Sequence, residues 1–163
     1  MTNGISAEAT NYANFDAVTI TRSGSFELDL APDSVFPLFT APGEKLWVPG
    51  WDPHILHGDG YEAGTVWVTT GDGKTVCWYV AAYDTDVRRA KYVRVTPTEH
   101  VGTVEVYVSA LENNRSKTRV TYQLTGLSET GNAYLTASFS ETSYAEMMQE
   151  WRDAIAGGEY SVN

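Results

Sequence analysis

Apolar and polar residues alternate in several segments of the chain, a pattern typical of half-buried β-strands. Phe26, Leu28 and Leu30 share one face of a first such segment, 18–30, and acidic residues occupy the other face. Later segments are rich in Val, Thr, Tyr and Trp, the residues that strands favour. Five of them predict further strands, at 64–70, 75–83, 88–96, 103–111 and 118–125.

Short connections with turn residues join these five strands, so successive strands are expected to pair as an antiparallel meander. Between the first strand and the meander the pattern predicts two short helices. The first begins near Pro32 and Asp33, and the second, over 41–49, is stopped by Pro49 and Gly50. His54 and His57, which follow this helix, are interpreted as residues of a surface loop.

A longer helical pattern occupies the end of the chain, where apolar residues recur at intervals of three and four. Gly157 and Gly158 are expected to end this helix. Strands in a run followed by one long helix indicate an α+β domain, and one helix covers only part of such a sheet. The repeating apolar residues are Tyr144, Met147, Met148, Trp151, Ala154 and Ile155.

Composition and charge narrow the classes of function. The 163 residues are enough for one domain, predicted at 17–157, with a flexible leader at 1–16 and a tail at 158–163. A formal charge of −10 disfavours nucleic acid and anionic membrane surfaces as partners. No apolar stretch is long enough to span a membrane and no signal peptide is apparent. With Cys77 as the single cysteine, we expect a cytoplasmic protein without disulfides.

The segment 38–53, which reads LFTAPGEKLWVPGWDP, resembles the SRPBCC superfamily, whose members include START-like lipid carriers, pollen-allergen-like ligand binders and polyketide cyclases. Two further segments support the resemblance, YVRVTP at 92–97 and TRVTY at 118–122, and the likeness covers roughly 19–155. It implies a helix-grip fold of the α+β class. Such a fold has a curved antiparallel sheet of six to seven strands, two short helices and one long C-terminal helix that closes over a cavity. Because members host unrelated chemistries, the fold alone leaves the function open.

The cavity implied by the resemblance would be lined by one face of each strand. Alternation predicts that the side chain of Tyr122 faces the cavity. In the preceding strand the side chains of Glu105 and Tyr107 are expected to face outward, although the opposite phase stays open. Trp78 is expected to share a face of its strand with Val76 and Val80, whereas Trp67 lies on the opposite face from Val66 and Val68. One of these two sets of side chains should therefore be partly exposed or bulged. We predict these ligand-binding residues: Trp51, His54, Trp67, Trp78, Tyr92, Tyr122, Tyr144, Met147, Met148 and Trp151.

No residue has a motif that assigns catalysis. The sequence lacks a nucleophile elbow, a phosphate loop and a dinucleotide fingerprint. His54 and His57 lie three apart beside acidic residues, but no third ligand is clear, so no metal and no cofactor are predicted. A general acid or base would have to come from His54, Tyr122, Glu105 or Glu141, if these face the cavity.

Three functions stay open at this point. The first is binding or carriage of a small apolar, aromatic molecule, since Tyr and Trp pair a large apolar surface with a polar group. The second is a cyclase or dehydratase that acts on a polyketide or another aromatic precursor. A wholly apolar cavity would favour carriage, whereas two or more converging polar groups would favour catalysis. The third is a protein-binding module with an exposed apolar patch. The sequence does not determine the oligomeric state, and a homodimer is one option.

Overall fold

The computed structural model describes residues 12–158, and more of these residues lie in β-strands than in helices. Residues 1–11 and 159–163, and with them most of the expected leader and tail, lie outside the described residues. The strands are β1 Thr19–Leu28, β2 His54–His57, β3 Val66–Gly71, β4 Lys74–Asp84, β5 Arg89–Thr96, β6 His100–Ala110 and β7 Ser116–Gly126. The α-helices are α1 Pro32–Val35, α2 Ala41–Glu44, α3 Glu129–Ser138 and α4 Glu141–Ala156, and 3₁₀ turns lie at Tyr12–Asn14, Phe36–Phe39 and Glu112–Asn114.

The seven strands form one antiparallel sheet in the order β1-β7-β6-β5-β4-β3-β2. Strands β2 to β7 are a meander, and β1 pairs with the free edge of β7. The tightest connection is between β3 and β4, where Asp72 and Gly73 both have positive φ angles of 50° and 73°. That geometry matches the two-residue turn that suits the twist of a hairpin. The predicted α+β helix-grip architecture and the meander are therefore confirmed.

Two elements differ from the sequence prediction. The segment His54–His57, interpreted as a loop, forms the edge strand β2. All four of its residues are exposed, so no apolar alternation marks it. The predicted single C-terminal helix is divided into α3 and α4. Phe139 leaves helical geometry with a ψ of 35°, and the Ser140 side chain caps α4 by accepting a hydrogen bond from the backbone N–H of Ser143.

Helix α4 packs against β1 through the apolar face predicted for it. Tyr144, Met148 and Ile155 are buried, and Trp151 is partly buried. The approach is close at Gly24, where a Cβ atom would lie 2.8 Å from Cγ of Met148. The Tyr144 hydroxyl donates a 2.6 Å hydrogen bond to the carbonyl of Val120 on β7. These contacts hold α4 over the concave face of the sheet.

Candidate functional site

The inner side chains of β5 change from apolar to polar along the strand. Ala90 and Tyr92 are buried, and Arg94 and Thr96 follow on the same face because strand side chains alternate. Tyr92 faces a pocket inside the domain, and Arg94 and Thr96 face a second pocket that opens to solvent. These are called the interior pocket and the outer pocket below.

The interior pocket lies between the sheet, α2 and α4 and has a volume of only about 20 Å³. That is close to the space of one water molecule, whereas sites for small organic ligands usually have several hundred Å³. The interior of the fold is filled mainly by aromatic rings, so the expected ligand-sized cavity is not open in this conformation. The lining residues are Phe39, Glu44, Trp67, Trp78, Tyr92, Val104, Val106, Tyr122 and Trp151.

Trp67 and Trp78 both face inward, which answers the question that the sequence left open. They are directly opposite each other in the β3–β4 ladder, and opposed residues of an antiparallel pair share a face. Their rings stack with centroids 5.6 Å apart and planes at 4°. Val66 and Val68 lie on the other face and are partly exposed. A shift of register between Val80 and Ala82 then bends β4.

Among residues 12–158, Glu44 is the one carboxylic acid that lines the interior pocket, and the sequence analysis missed it. It is the last residue of α2, a helix that begins where the Thr40 side chain accepts a 3.0 Å hydrogen bond from the Gly43 N–H. Burial raises the pKa of the Glu44 carboxyl to about 8. The sequence did carry a signal, because Glu44 is three residues from both Ala41 and Trp47, which are buried. Residues three apart share a helix face.

Two further buried polar groups belong to residues that line the same pocket as Glu44. The Nε1 atom of Trp67 and the hydroxyl of Tyr92 are buried and have no hydrogen-bond partner among residues 12–158. Burial also raises the pKa of the Tyr92 phenol well above its usual value, and raises that of Tyr122 to about 12. Both phenols therefore keep their protons at neutral pH. The pocket thus places two phenol groups, one indole N–H and one carboxyl around the same small space, where they could bind and protonate an oxygen atom.

The outer pocket has a volume of about 310 Å³ and lies beside the interior pocket. Trp78 lines the interior pocket, and three residues that contact it line the outer pocket: Trp51, Thr69 and Arg94. The indole N–H of Trp78 donates a 3.2 Å hydrogen bond to Oγ1 of Thr69, and Trp51 contacts its ring edge-on at 6.0 Å. The lining residues are Gly50, Trp51, Asp52, Thr69, Thr70, Gly71, Asp72, Lys74, Val76, Arg94, Thr96, Glu99, His100 and Tyr134.

Nine of the ten predicted ligand-binding residues fall into three groups. Five of them line the interior pocket: Trp67, Trp78, Tyr92, Tyr122 and Trp151. Trp51 lines the outer pocket. Tyr144 and Met148 face a groove between β1 and α4, and Met147 packs against the core beside them.

His54 lines none of these spaces, because it is exposed at the start of the edge strand β2. Of the acid–base candidates, Glu141 is exposed on α4 and lines the groove between β1 and α4, outside the interior pocket. Glu105 lies on the outer face of β6, since Val104 and Val106 are the buried residues beside it. Only Tyr122 of the four acid–base candidates lies in the interior pocket. A ligand-binding role for His54 therefore has no support from its position.

Two further observations concern residues 12–158. No group of three or more His, Cys, Asp and Glu side chains in this part is arranged to hold a metal ion. No helix in this part is both long and apolar enough to cross a membrane.

Solved structures with this arrangement of strands and helices are known. The chain is similar to norcoclaurine synthase from Thalictrum flavum in complex with dopamine and hydroxybenzaldehyde, with 14% identity over 89% of this chain and 91% of that chain and a TM-score of 0.62. It is similar to Ara h 8.0201, with 21% identity, coverage of 86% and 97%, and a TM-score of 0.61. The chain has the helix-grip fold. The protein Mll3558 from Rhizobium loti shares this fold, with 16% identity, coverage of 83% and 99%, and a TM-score of 0.57.

At these identities the similarity establishes the fold of this helix-grip protein and leaves its function open. No family model matches the chain. No curated protein matches it either. Inferences about function therefore depend on the residues of the two pockets.

Proposed function

We propose that this helix-grip protein binds a small aromatic molecule in the interior pocket and transfers a proton to it from Glu44. The reaction class we propose is the dehydration or cyclisation of a ring-bearing carbonyl compound in the cytoplasm. The observation that supports this proposal is that Glu44 lines the same pocket as Trp67 and Tyr92, whose indole N–H and hydroxyl have no hydrogen-bond partner in the described part of the chain. Converging polar groups at the centre of the fold are the feature that favours catalysis over carriage.

The proton chemistry follows from the burial of the carboxyl. With a pKa of about 8, Glu44 holds its proton in roughly ten molecules for each one ionised at pH 7. A carboxyl in that state can donate a proton to a departing hydroxyl group, which leaves as water. The ionised Glu44 can then accept a proton from the carbon next to the carbonyl, which completes the elimination and restores the acid. The Trp67 N–H and the Tyr92 hydroxyl are suited to hold the carbonyl oxygen in place by donating hydrogen bonds to it.

The proposed ligand is aromatic because most of the lining is. Trp67, Trp78 and Tyr122 offer ring faces and edges to a flat molecule, and such contacts are favourable beyond the area they bury. The norcoclaurine synthase structure holds dopamine and hydroxybenzaldehyde, which are small aromatic molecules. In this protein a ring would enter by displacing Trp78, since that side chain lines the interior pocket and contacts residues that line the larger outer pocket.

Carriage without chemistry is the second candidate. It is favoured by the closed interior, because a pocket that must open to admit a ring would also retain that ring. In that case Glu44 would serve as a neutral hydrogen-bond donor to the bound molecule. The two functions share the ligand class and differ only in turnover.

The test is a reaction with a ring-bearing β-hydroxy ketone, 4-hydroxy-4-phenylbutan-2-one. Its dehydration gives a conjugated enone, which is followed by near-ultraviolet absorbance and by the loss of one water in mass spectrometry. We expect turnover by the parent that falls as the pH rises through about 8, where Glu44 loses its proton. Glu44→Gln should lose at least 100-fold in rate, the usual scale of a general acid.

Glu146→Gln is the matched control, because Glu146 is exposed on α4 and distant in sequence from α2. It should leave the rate unchanged. Binding of the ketone by the parent without any turnover would favour carriage. If the ketone neither binds nor reacts, or if Glu44→Gln reacts as fast as the parent, the proposed proton transfer is wrong.

A further inference from the structure

The outer pocket has a row of polar side chains that the proposed function does not use. Arg94 is opposite Trp78 in the β4–β5 ladder, and Thr96 is opposite His100 in the β5–β6 ladder. Arg94 and Thr96 are two residues apart, so all four side chains lie on the inner face of the sheet. The register therefore brings one cationic and two neutral polar groups to the same wall of the pocket.

Each of these polar side chains has a buried atom without a partner. The atoms are Nε of Arg94, Oγ1 of Thr96 and Nδ1 of His100, and none has a hydrogen-bond partner among residues 12–158. Thr96 is 4% exposed and His100 is 1% exposed, and both line the outer pocket. Leaving three buried polar groups unpaired is costly, and native proteins leave few of them. A ligand that accepts hydrogen bonds would satisfy all three.

Arg94 is also a cation without a counter-ion in the described part of the chain. Its guanidinium lies over the Trp78 ring at 5.5 Å, and no carboxylate between residues 12 and 158 pairs with it. The other cation of the pocket, Lys74, is already paired with Glu99 at 2.8 Å. In a protein of net charge −10, an unpaired and partly buried arginine indicates a place for an anion.

We propose that the outer pocket binds a carboxylate group through Arg94, Thr96 and His100. A guanidinium matches the planar shape of a carboxylate. A phosphate dianion is disfavoured, because Asp52, Asp72 and Glu99 also line the pocket and leave it with one more negative than positive charge. This site does not depend on the function proposed for Glu44.

His100 is suited to take part as a neutral donor. Burial, aided by the charge of Arg94, lowers the pKa of its imidazole to about 4. The ring stacks on Tyr134 with centroids 5.2 Å apart, which fixes its orientation. A neutral imidazole can carry its proton on Nδ1 and donate it to a carboxylate oxygen. The Tyr134 and Trp51 rings supply apolar surface for a ring attached to the carboxylate.

The test compares benzoate with benzamide, a neutral molecule of nearly the same shape. Each is titrated into the ¹⁵N-labelled full chain and followed by NMR. We expect benzoate to bind at least tenfold more tightly than benzamide, with the largest shifts at the amides of Thr96 and His100. In Arg94→Met the two ligands should bind within twofold of each other. The methionine keeps an unbranched side chain, and the change breaks none of the hydrogen bonds found for residues 12–158.

Three variants complete the experiment. Thr96→Val, which preserves shape, should weaken benzoate binding several-fold and leave benzamide unchanged. Arg119→Met, which removes an exposed arginine on β7, should keep the preference for benzoate. Glu44→Gln should keep it too, which separates this site from the interior pocket. The proposal is overturned if the parent binds neither ligand, if it binds both equally, or if the preference survives in Arg94→Met.

Discussion

The free energy of unfolding should depend on pH through Glu44. An exposed glutamate loses its proton near pH 4.5, whereas burial keeps the proton on Glu44 in the folded protein up to a pKa of about 8. Between these two values the folded state binds more protons than the unfolded state, so stability falls as the pH rises. The contribution of Glu44 to the free energy of unfolding is complete below pH 4.5 and is lost by about pH 8.

The magnitude follows from the shift of the pKa. Each pKa unit corresponds to about 1.4 kcal/mol, so the whole loss is at most about 5 kcal/mol. His100 has the opposite effect, because its lowered folded pKa makes stability rise with pH between about 4 and 6.5. Above pH 6.5 His100 contributes a constant amount. From pH 6.5 to 8 the loss from Glu44 alone should therefore be about 2 kcal/mol.

Urea unfolding at pH 6.5, 7.25 and 8 measures this loss. Glu44→Gln is neutral at every pH, so its free energy of unfolding should lack the Glu44 slope. The quantity to compare is the stability of the parent minus that of the variant, because contributions from all other groups cancel. This difference should fall by about 2 kcal/mol between pH 6.5 and 8. The exposed control Glu146→Gln should show no such change.

A constant difference between the parent and Glu44→Gln over this range would refute the reasoning. It would mean that the carboxyl ionises in the folded protein at an ordinary pKa, and that water reaches it. The proton-donor role proposed for Glu44 would then lose its physical basis. A change in the urea dependence of either protein would indicate an altered folded or unfolded state and would be examined first.

Three further perturbations test the packing around the site. Tyr144→Phe removes the buried hydrogen bond to the Val120 carbonyl and should cost about 1–2 kcal/mol in urea unfolding; an unchanged midpoint would contradict this. Gly131→Ala should lower the free energy of unfolding despite the better helix propensity of alanine, because its Cβ would overlap the carbonyl of Glu99. A stabilised variant would show that α3 can move away from Glu99 at no cost. Trp78→Ala should join the two pockets and bind indole at least tenfold more tightly than the parent by NMR titration, and equal affinities would show that Trp78 does not obstruct entry.

Much of the fold could be predicted from local patterns. Alternation at Phe26 and Leu28 identified β1, and turn residues such as Asp72 and Gly73 identified an antiparallel hairpin. The i, i+4 spacing of Tyr144 and Met148 gave the buried face of α4. These features depend on a residue and its near neighbours, which is why a single sequence reveals them.

Local patterns failed where no apolar periodicity exists or where it continues through a break. The strand β2 is exposed at every position and is held by pairing with β3, a partner nine or more residues away. The boundary between α3 and α4 at Phe139 and Ser140 interrupts a sequence that reads as helical on both sides. In both cases contacts with the rest of the fold outweigh the local preference.

The candidate site shows the same division between sequence and structure. The sequence by itself determined the meander of β3 to β7, the inward phase of Tyr122 and the aromatic character of the interior, because these follow from alternation, turn residues and composition. Only the tertiary structure decided that Trp67 and Trp78 stack on one face, and that Glu44 meets Tyr92. The register of strands brings together residues that are far apart in the chain, and burial by several elements raises the pKa of Glu44. Neither effect is a property of any one segment.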